Sequence, residues 1–237
     1  THFHSDHIAD LGEVLSRSWI LGREQPLDVY GGLGVEDIVA GFNTVYNADD
    51  AYRIAHHGED LFPDVRAATA VTIHEPSPGG RLVYEVDGVQ VLAYAVDHSP
   101  VGVALGFRVE YAGKSVAISG DTVDTAGLQA LAANADVLVS EVMNKEIVGE
   151  TECAFGRIPD ARLEKIFRDI RTYHIDVPEL AELANNAGVA TLVMTHLVPS
   201  TEDSAQLDLF FRQPASALYN GELVIAEDGT EVVIPIP

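Results

Sequence analysis

Within the six residues His2-Phe3-His4-Ser5-Asp6-His7, three imidazoles and a carboxylate stand close enough to serve metal ions. A chain that carries such a stretch must bring further donors to it from elsewhere in the fold. His2 and His4 are two residues apart, so at the end of an extended strand they point the same way. Asp6 and His7 follow a turn at the mouth of an expected helix, where the chain has rotated toward a second ion about 3.5–4 Å from the first. Imidazole nitrogen and carboxylate oxygen without thiolate suit zinc, with iron or manganese as alternatives. The mixed filling of Phe, Ser and Asp, and the amphipathic segment that follows, set the stretch apart from a histidine tag.

The rest of the chain is read for partners to this loop. Ile8, Leu11, Leu15 and Trp19 recur at helical spacing up to Gly22. A strand is expected over Leu27–Tyr30 and a helix over Val35–Tyr46, followed by a weakly periodic segment from Asn47 to Asp64 that reads as a helical insertion or a surface connection. The period then changes to that of strands, over Val71–His74, Arg81–Val86, Val89–Val96, Ala104–Glu110 and Lys114–Ser119. Asp87-Gly88 and Ala112-Gly113 mark hairpin turns in this meander. Helices are expected over Thr125–Asn134, Ala161–Ile170 and Val177–Ala187, and strands over Asp136–Ser140 and Thr191–Thr195. A terminal hairpin is expected from Leu223–Ala226 and Glu231–Ile236 around Asp228-Gly229. In this order of elements three residues stand where strands end, the position from which a sheet presents a ligand: His98 in AVDHSP, Asp121 in ISGDT and His196 in LVMTHLVP.

The four motifs HFHSDH, DHS, SGDT and THLVP, in this order and covering almost the whole chain, resemble the metallo-β-lactamase fold superfamily. The resemblance is closest to its ribonuclease Z and arylsulfatase-like branch, where YHID ahead of a helix mirrors an additional catalytic histidine motif. It implies an α/β fold, a four-layer αβ/βα sandwich, with residues 1–237 as one domain. Because that fold places strands before its His-x-His loop, and Thr1 is not an initiator methionine, an N-terminal portion carrying those strands is expected to be missing. Carried over residue by residue, the resemblance assigns His2, His4 and His98 to one ion, Asp6, His7 and His196 to the other, and Asp121 to both. It implies a hydrolase in which a hydroxide bridging the two ions attacks phosphorus, sulfur or carbonyl carbon, oriented by Asp6. His174 would serve as proton donor to the leaving group, and Glu141 would orient His174 through a carboxylate–imidazole pair. Only the glutamate of the ribonuclease Z His-Glu-Ala-Thr pattern is kept here, in Ser140-Glu141-Val142-Met143.

Composition enters when the branches are compared. The net charge of −23 repels polyanions. The interval from His98 to Asp121 holds two strands and a turn, without the basic insertion with which bacterial ribonuclease Z grips tRNA. Both points disfavour RNA and leave small anionic esters, phosphodiesters or aryl sulfates, as the expected substrates, with ribonuclease Z, a β-lactam or lactone hydrolase, and a non-catalytic metal-binding module as the other readings. Trp19, Tyr52, Arg53, His56, His57 and Phe155 are the candidate pocket residues. The single cysteine, Cys153, excludes an intrachain disulfide, and no apolar run reaches the length of a membrane span. The expected setting is the cytoplasm, with no membrane partner and a homodimer left open.

Overall fold

The computed structural model describes residues 1–74, 76–157, 160–200 and 205–236, apart from the side chains of 205–207. The chain forms two compact units, Thr1–Glu75 and Pro76–Pro237.

The first unit contains α1 (Ser5–Ile8), α2 (Leu11–Ile20), β1 (Leu27–Gly31), α3 (Val35–His57) and β2 (Ala68–Thr72). β1 and β2 pair in parallel, from Leu27 opposite Ala68 to Gly31 opposite Thr72. Parallel neighbours need a crossover, and α3 supplies it. Leu15, Val35, Val39 and Ala68 are buried at the centre, with Phe3, Leu11, Leu27, Val29 and Phe42 packed against them. β2 therefore belongs beside β1, which corrects the expectation that Val71–His74 opens the meander. α3 also runs past Tyr46, because its second half needs little apolar surface: Arg53 pairs with Asp49 at 2.7 Å one turn away, and Arg66 reaches Asp50. Gly58, at φ 85°, ends the helix with its N–H on the Ile54 carbonyl.

The second unit contains β3 (Arg81–Val86), β4 (Val89–Val96), β5 (Ala104–Tyr111), β6 (Lys114–Ile118), α4 (Ala126–Ala132), β7 (Val137–Met143), α5 (Lys145–Phe155), α6 (Ala161–Ile170), α7 (Val177–Asn186), β8 (Thr191–Val198), α8 (Ala205–Ser216) and β9 (Glu222–Ile225). Seven strands form one sheet in sequence order. β3 to β6 are antiparallel, joined by the turns at Asp87-Gly88 and Ala112-Gly113, whose residues all have positive φ. β6 to β9 are parallel, and α4, α5 to α7, and α8 form the crossovers. Leu128, Leu131, Leu138, Leu180, Leu192 and Phe211 lie in its core.

The terminal hairpin does not form. β9 takes its hydrogen bonds from β8 after the α8 crossover, and 231–236 is not a strand. Pro235 has no N–H to give to a ladder. Two helices escape the sequence periodicity: α5, rich in glutamate and interrupted by Gly149, and α8, with Pro214 inside it.

A tight helix–strand approach lies three residues upstream of His98. A Cβ on Gly127 of α4 would fall 1.8 Å from the Ala95 carbonyl oxygen near the end of β4. Gly127→Ala is therefore expected to force α4 off β4 at a cost of about 3 kcal/mol, read as a lower midpoint in urea denaturation. Gly41→Ala on exposed α3, where a Cβ meets nothing within 4 Å, is the matched control and should be neutral or stabilising.

Candidate metal centre

In the first unit the opening stretch is held by its one apolar residue. Phe3 packs against the buried cluster, which leaves its neighbours His2 and His4 to turn away from that cluster together. The Nε2 of His2 lies 3.0 Å from Nδ1 of His4, and their ring centroids are 4.6 Å apart. His4 is extended and precedes α1, and the His7 N–H donates to its carbonyl at 3.0 Å. Asp6 and His7 thus sit inside the first turn of α1 instead of ahead of a helix. That turn brings the His7 ring within 4.1 Å of His2, and His7 Nε2 lies 3.4 Å from an Asp6 oxygen.

In the second unit the donors stand at the carboxyl ends of β4, β6 and β8. Asp121 Oδ2 has His98 Nε2 at 3.8 Å and His196 Nε2 at 3.9 Å. Both separations exceed hydrogen-bond length and approach the spacing of atoms that share an ion at about 2.0–2.2 Å. The orientation of His98 is set from behind: its Nδ1 lies 2.8 Å from the Tyr173 carbonyl. A carbonyl only accepts, so Nδ1 carries the proton and Nε2 keeps its lone pair toward Asp121. The loops that carry the two residues are tied together, since the Asp97 N–H donates to Thr122 Oγ1 and the Val123 N–H to the Asp97 carbonyl. Asp97 is itself held ionised, its carboxyl lowered by the Ser99 hydroxyl and then by the Ser99 N–H.

His196 owes its direction to a bulge. Glu141 of β7 pairs with Thr195 and Val142 with Leu197, so His196 is the extra residue of β8, and its φ is 45°. Such a bulge re-aims a side chain at the cost of a left-handed backbone.

Glu141, buried beside that bulge, gathers the remaining parts. Its Oε1 accepts from the Thr122 N–H at 3.1 Å and from the Ile175 N–H at 3.3 Å, and lies 3.1 Å from His174 Nδ1. One carboxylate oxygen therefore touches the residues that follow Asp121 and His174 as well as His174 itself. Burial pushes the Glu141 carboxyl up, opposed by His174 and the Thr122 N–H. The His174 ring lies 5.1 Å from that of His98 and 6.1 Å from that of His196, nearly parallel to the latter.

The donor chemistry fits a borderline metal ion. Ligand atoms from His98, Asp121 and His174 lie within 4.8 Å of one another. His174 thus stands where it can either hold an ion or move a proton, an option that its sequence setting does not show. The Tyr173 carbonyl was equally invisible to sequence reasoning, because any residue type offers one.

Within the first unit the candidate pocket residues have different surroundings. Trp19 is buried in the first unit with its indole N–H on the Pro63 carbonyl at 2.7 Å. Tyr52 is exposed, His57 lies against His56 and Phe62, and Phe155 stacks on Phe167 at 5.3 Å. Only Arg53 of the six lines the groove of about 820 Å³ between α2 and α3. Cys153 is exposed, and among the described residues no helix is long and apolar enough to cross a membrane.

Comparison with known proteins places this geometry among relatives. The family model described as a β-lactamase superfamily domain matches residues 1–197. A protein named ribonuclease Z from Mycolicibacterium paratuberculosis is 40% identical over 240 residues, which cover 100% of this chain and 79% of that protein. Among solved structures, the metallo-β-lactamase fold protein YhfI from Bacillus subtilis superposes with a TM-score of 0.60 at 19% identity, over 97% of this chain and 74% of YhfI. The short form of human tRNase Z does so with a TM-score of 0.59 at 19% identity, over 100% of this chain and 77% of that one.

Proposed function

The chain belongs to the β-lactamase superfamily and has the metallo-β-lactamase fold, and from that membership we propose that it is a metal-dependent phosphodiesterase of the ribonuclease Z kind, acting on RNA. The observation that carries this reading is the ribonuclease Z relative, 40% identical across the entire chain. The acidic composition weighs against RNA, yet its field is screened beyond about 8 Å at physiological salt. Local charge near the cleaved bond therefore decides binding more than the total does.

The ligand set proposed is His2, His4 and His98 for one ion, Asp6, His7 and His196 for the other, and Asp121 for both. Zinc suits these donors best, with iron and manganese next. Ions bound there supply a water acidified toward neutrality and positive charge facing the phosphoryl oxygens. Asp6 accepts a hydrogen bond from the attacking water and so fixes its direction. With Nδ1 of His174 turned to Glu141, its Nε2 delivers the proton to the departing ribose oxygen. Glu141 holds the ring in that orientation and stabilises the imidazolium before the proton leaves.

A second reading, hydrolysis of small aryl phosphodiesters or sulfates, is favoured by the net charge of −23 and by the short Ala112-Gly113 turn between β5 and β6. A panel on metal-loaded protein separates the two: precursor tRNA, bis(p-nitrophenyl) phosphate and an aryl sulfate, with elemental analysis alongside. The first reading expects precursor tRNA to be cut with the highest kcat/KM. Intact precursor with rapid turnover of an aryl ester would establish the second. Protein that retains no transition metal and hydrolyses nothing would overturn both.

A further inference from the structure

We infer that the α5–α6 hairpin is a phosphate-gripping arm that holds the RNA backbone beside the reaction centre. This rests on the RNA reading of the preceding subsection.

Charge in this molecule is unevenly placed. Residues 145–171 contain six basic and six acidic side chains, while the rest of the chain contains eight and thirty-one. The entire negative excess thus lies outside the hairpin, and in an acidic protein a neutral island rich in cations is where a polyanion is repelled least.

The hairpin is built to project. Val148 is the one buried residue described in α5, and α6 has none. Leu163, Ile166, Phe167 and Ile170 follow helical spacing along one side of α6, and Phe167 stacks on Phe155 of α5 with planes 9° apart. Arg168 and Arg171 both reach Glu152 of α5. The two helices therefore hold each other.

On the side of α6 away from that apolar stripe, Arg162, Lys165 and Arg168 recur every three residues and are exposed. The stripe is about 9 Å long, enough to face two neighbouring phosphates of one strand. Lys165 pairs with Asp169 and Arg168 with Glu164, exposed contacts one turn apart that contribute little to stability and exchange readily, whereas the Arg168 bond to the mostly buried Glu152 holds the hairpin together. Arg162 of the stripe and the exposed Arg157 near the hairpin tip have no ion-pair partner among the described residues.

Its roots lie at the reaction centre. α5 begins four residues after Glu141, and at its cap the Asn144 N–H donates to the Val198 carbonyl and the Asn144 side-chain amide to that of Phe210. α6 returns through Tyr173 to His174, and the Lys145 N–H donates to Asp176, the cap of α7. An arm fixed at both roots beside Glu141 and His174 would present a bound backbone to them.

The test reverses the charge at Arg157→Glu, Arg162→Glu and Lys165→Glu together, in the full chain. Precursor tRNA cleavage should lose at least tenfold in kcat/KM, chiefly through KM. The slope of log KM against log salt should fall by about 2. Hydrolysis of bis(p-nitrophenyl) phosphate and the midpoint of thermal unfolding should stay at wild-type values. Unchanged RNA cleavage and salt slope would overturn the proposal while leaving the RNA reading intact, and so would a parallel loss on the small ester. If the wild type neither binds nor cuts precursor tRNA, the RNA reading fails and the arm with it.

Discussion

Asp121→Ala is expected to abolish hydrolysis, by about a thousandfold or more, and to leave the protein with less bound metal than the wild type. The carboxylate has two imidazole nitrogens at 3.8 and 3.9 Å around one oxygen. Removing it leaves the proposed ions without their shared anionic ligand. Turnover of bis(p-nitrophenyl) phosphate and elemental analysis of the purified variant provide the check. Near-normal turnover would remove Asp121 from the centre altogether.

His174→Ala should lower kcat by about a hundredfold with metal content close to the wild type. The imidazole faces Glu141 through Nδ1 at 3.1 Å, a carboxylate–imidazole pair suited to orienting a proton donor. The same ring belongs to a possible ligand group with His98 and Asp121, so the experiment discriminates. If the variant loses metal in proportion to activity, His174 is a ligand and the leaving group finds its proton elsewhere. Substrates with activated leaving groups sharpen the result: p-nitrophenolate leaves without protonation, so the loss on bis(p-nitrophenyl) phosphate should be smaller than on RNA.

The positions of the strand-end residues were legible in the sequence because they follow short apolar runs bounded by turn residues. His98 and Asp121 stand past strands, and His196 near the end of one, that the sequence locates to within a few residues. The order of motifs then carries the family. What stayed hidden depends on backbone atoms or on pairing between distant segments. The bulge that aims His196 arises from the register of β7 against β8, and neither strand alone encodes it. The Tyr173 carbonyl behind His98 is chemically anonymous. α5 lacks an apolar stripe because only Val148 is buried, so it carries no period to find. Trp19 misleads in the opposite direction, as an aromatic residue suited to a pocket that proves to be core.

The bond from His98 Nδ1 to the Tyr173 carbonyl reaches further than tautomer choice. The oxygen that props one imidazole and the imidazole at position 174 are neighbours on one stretch of backbone. No swing of that stretch can be confined to either. The proposed proton donor and the proposed ligand are thereby geared together, so a sequence change that loosens one is expected to slacken the other.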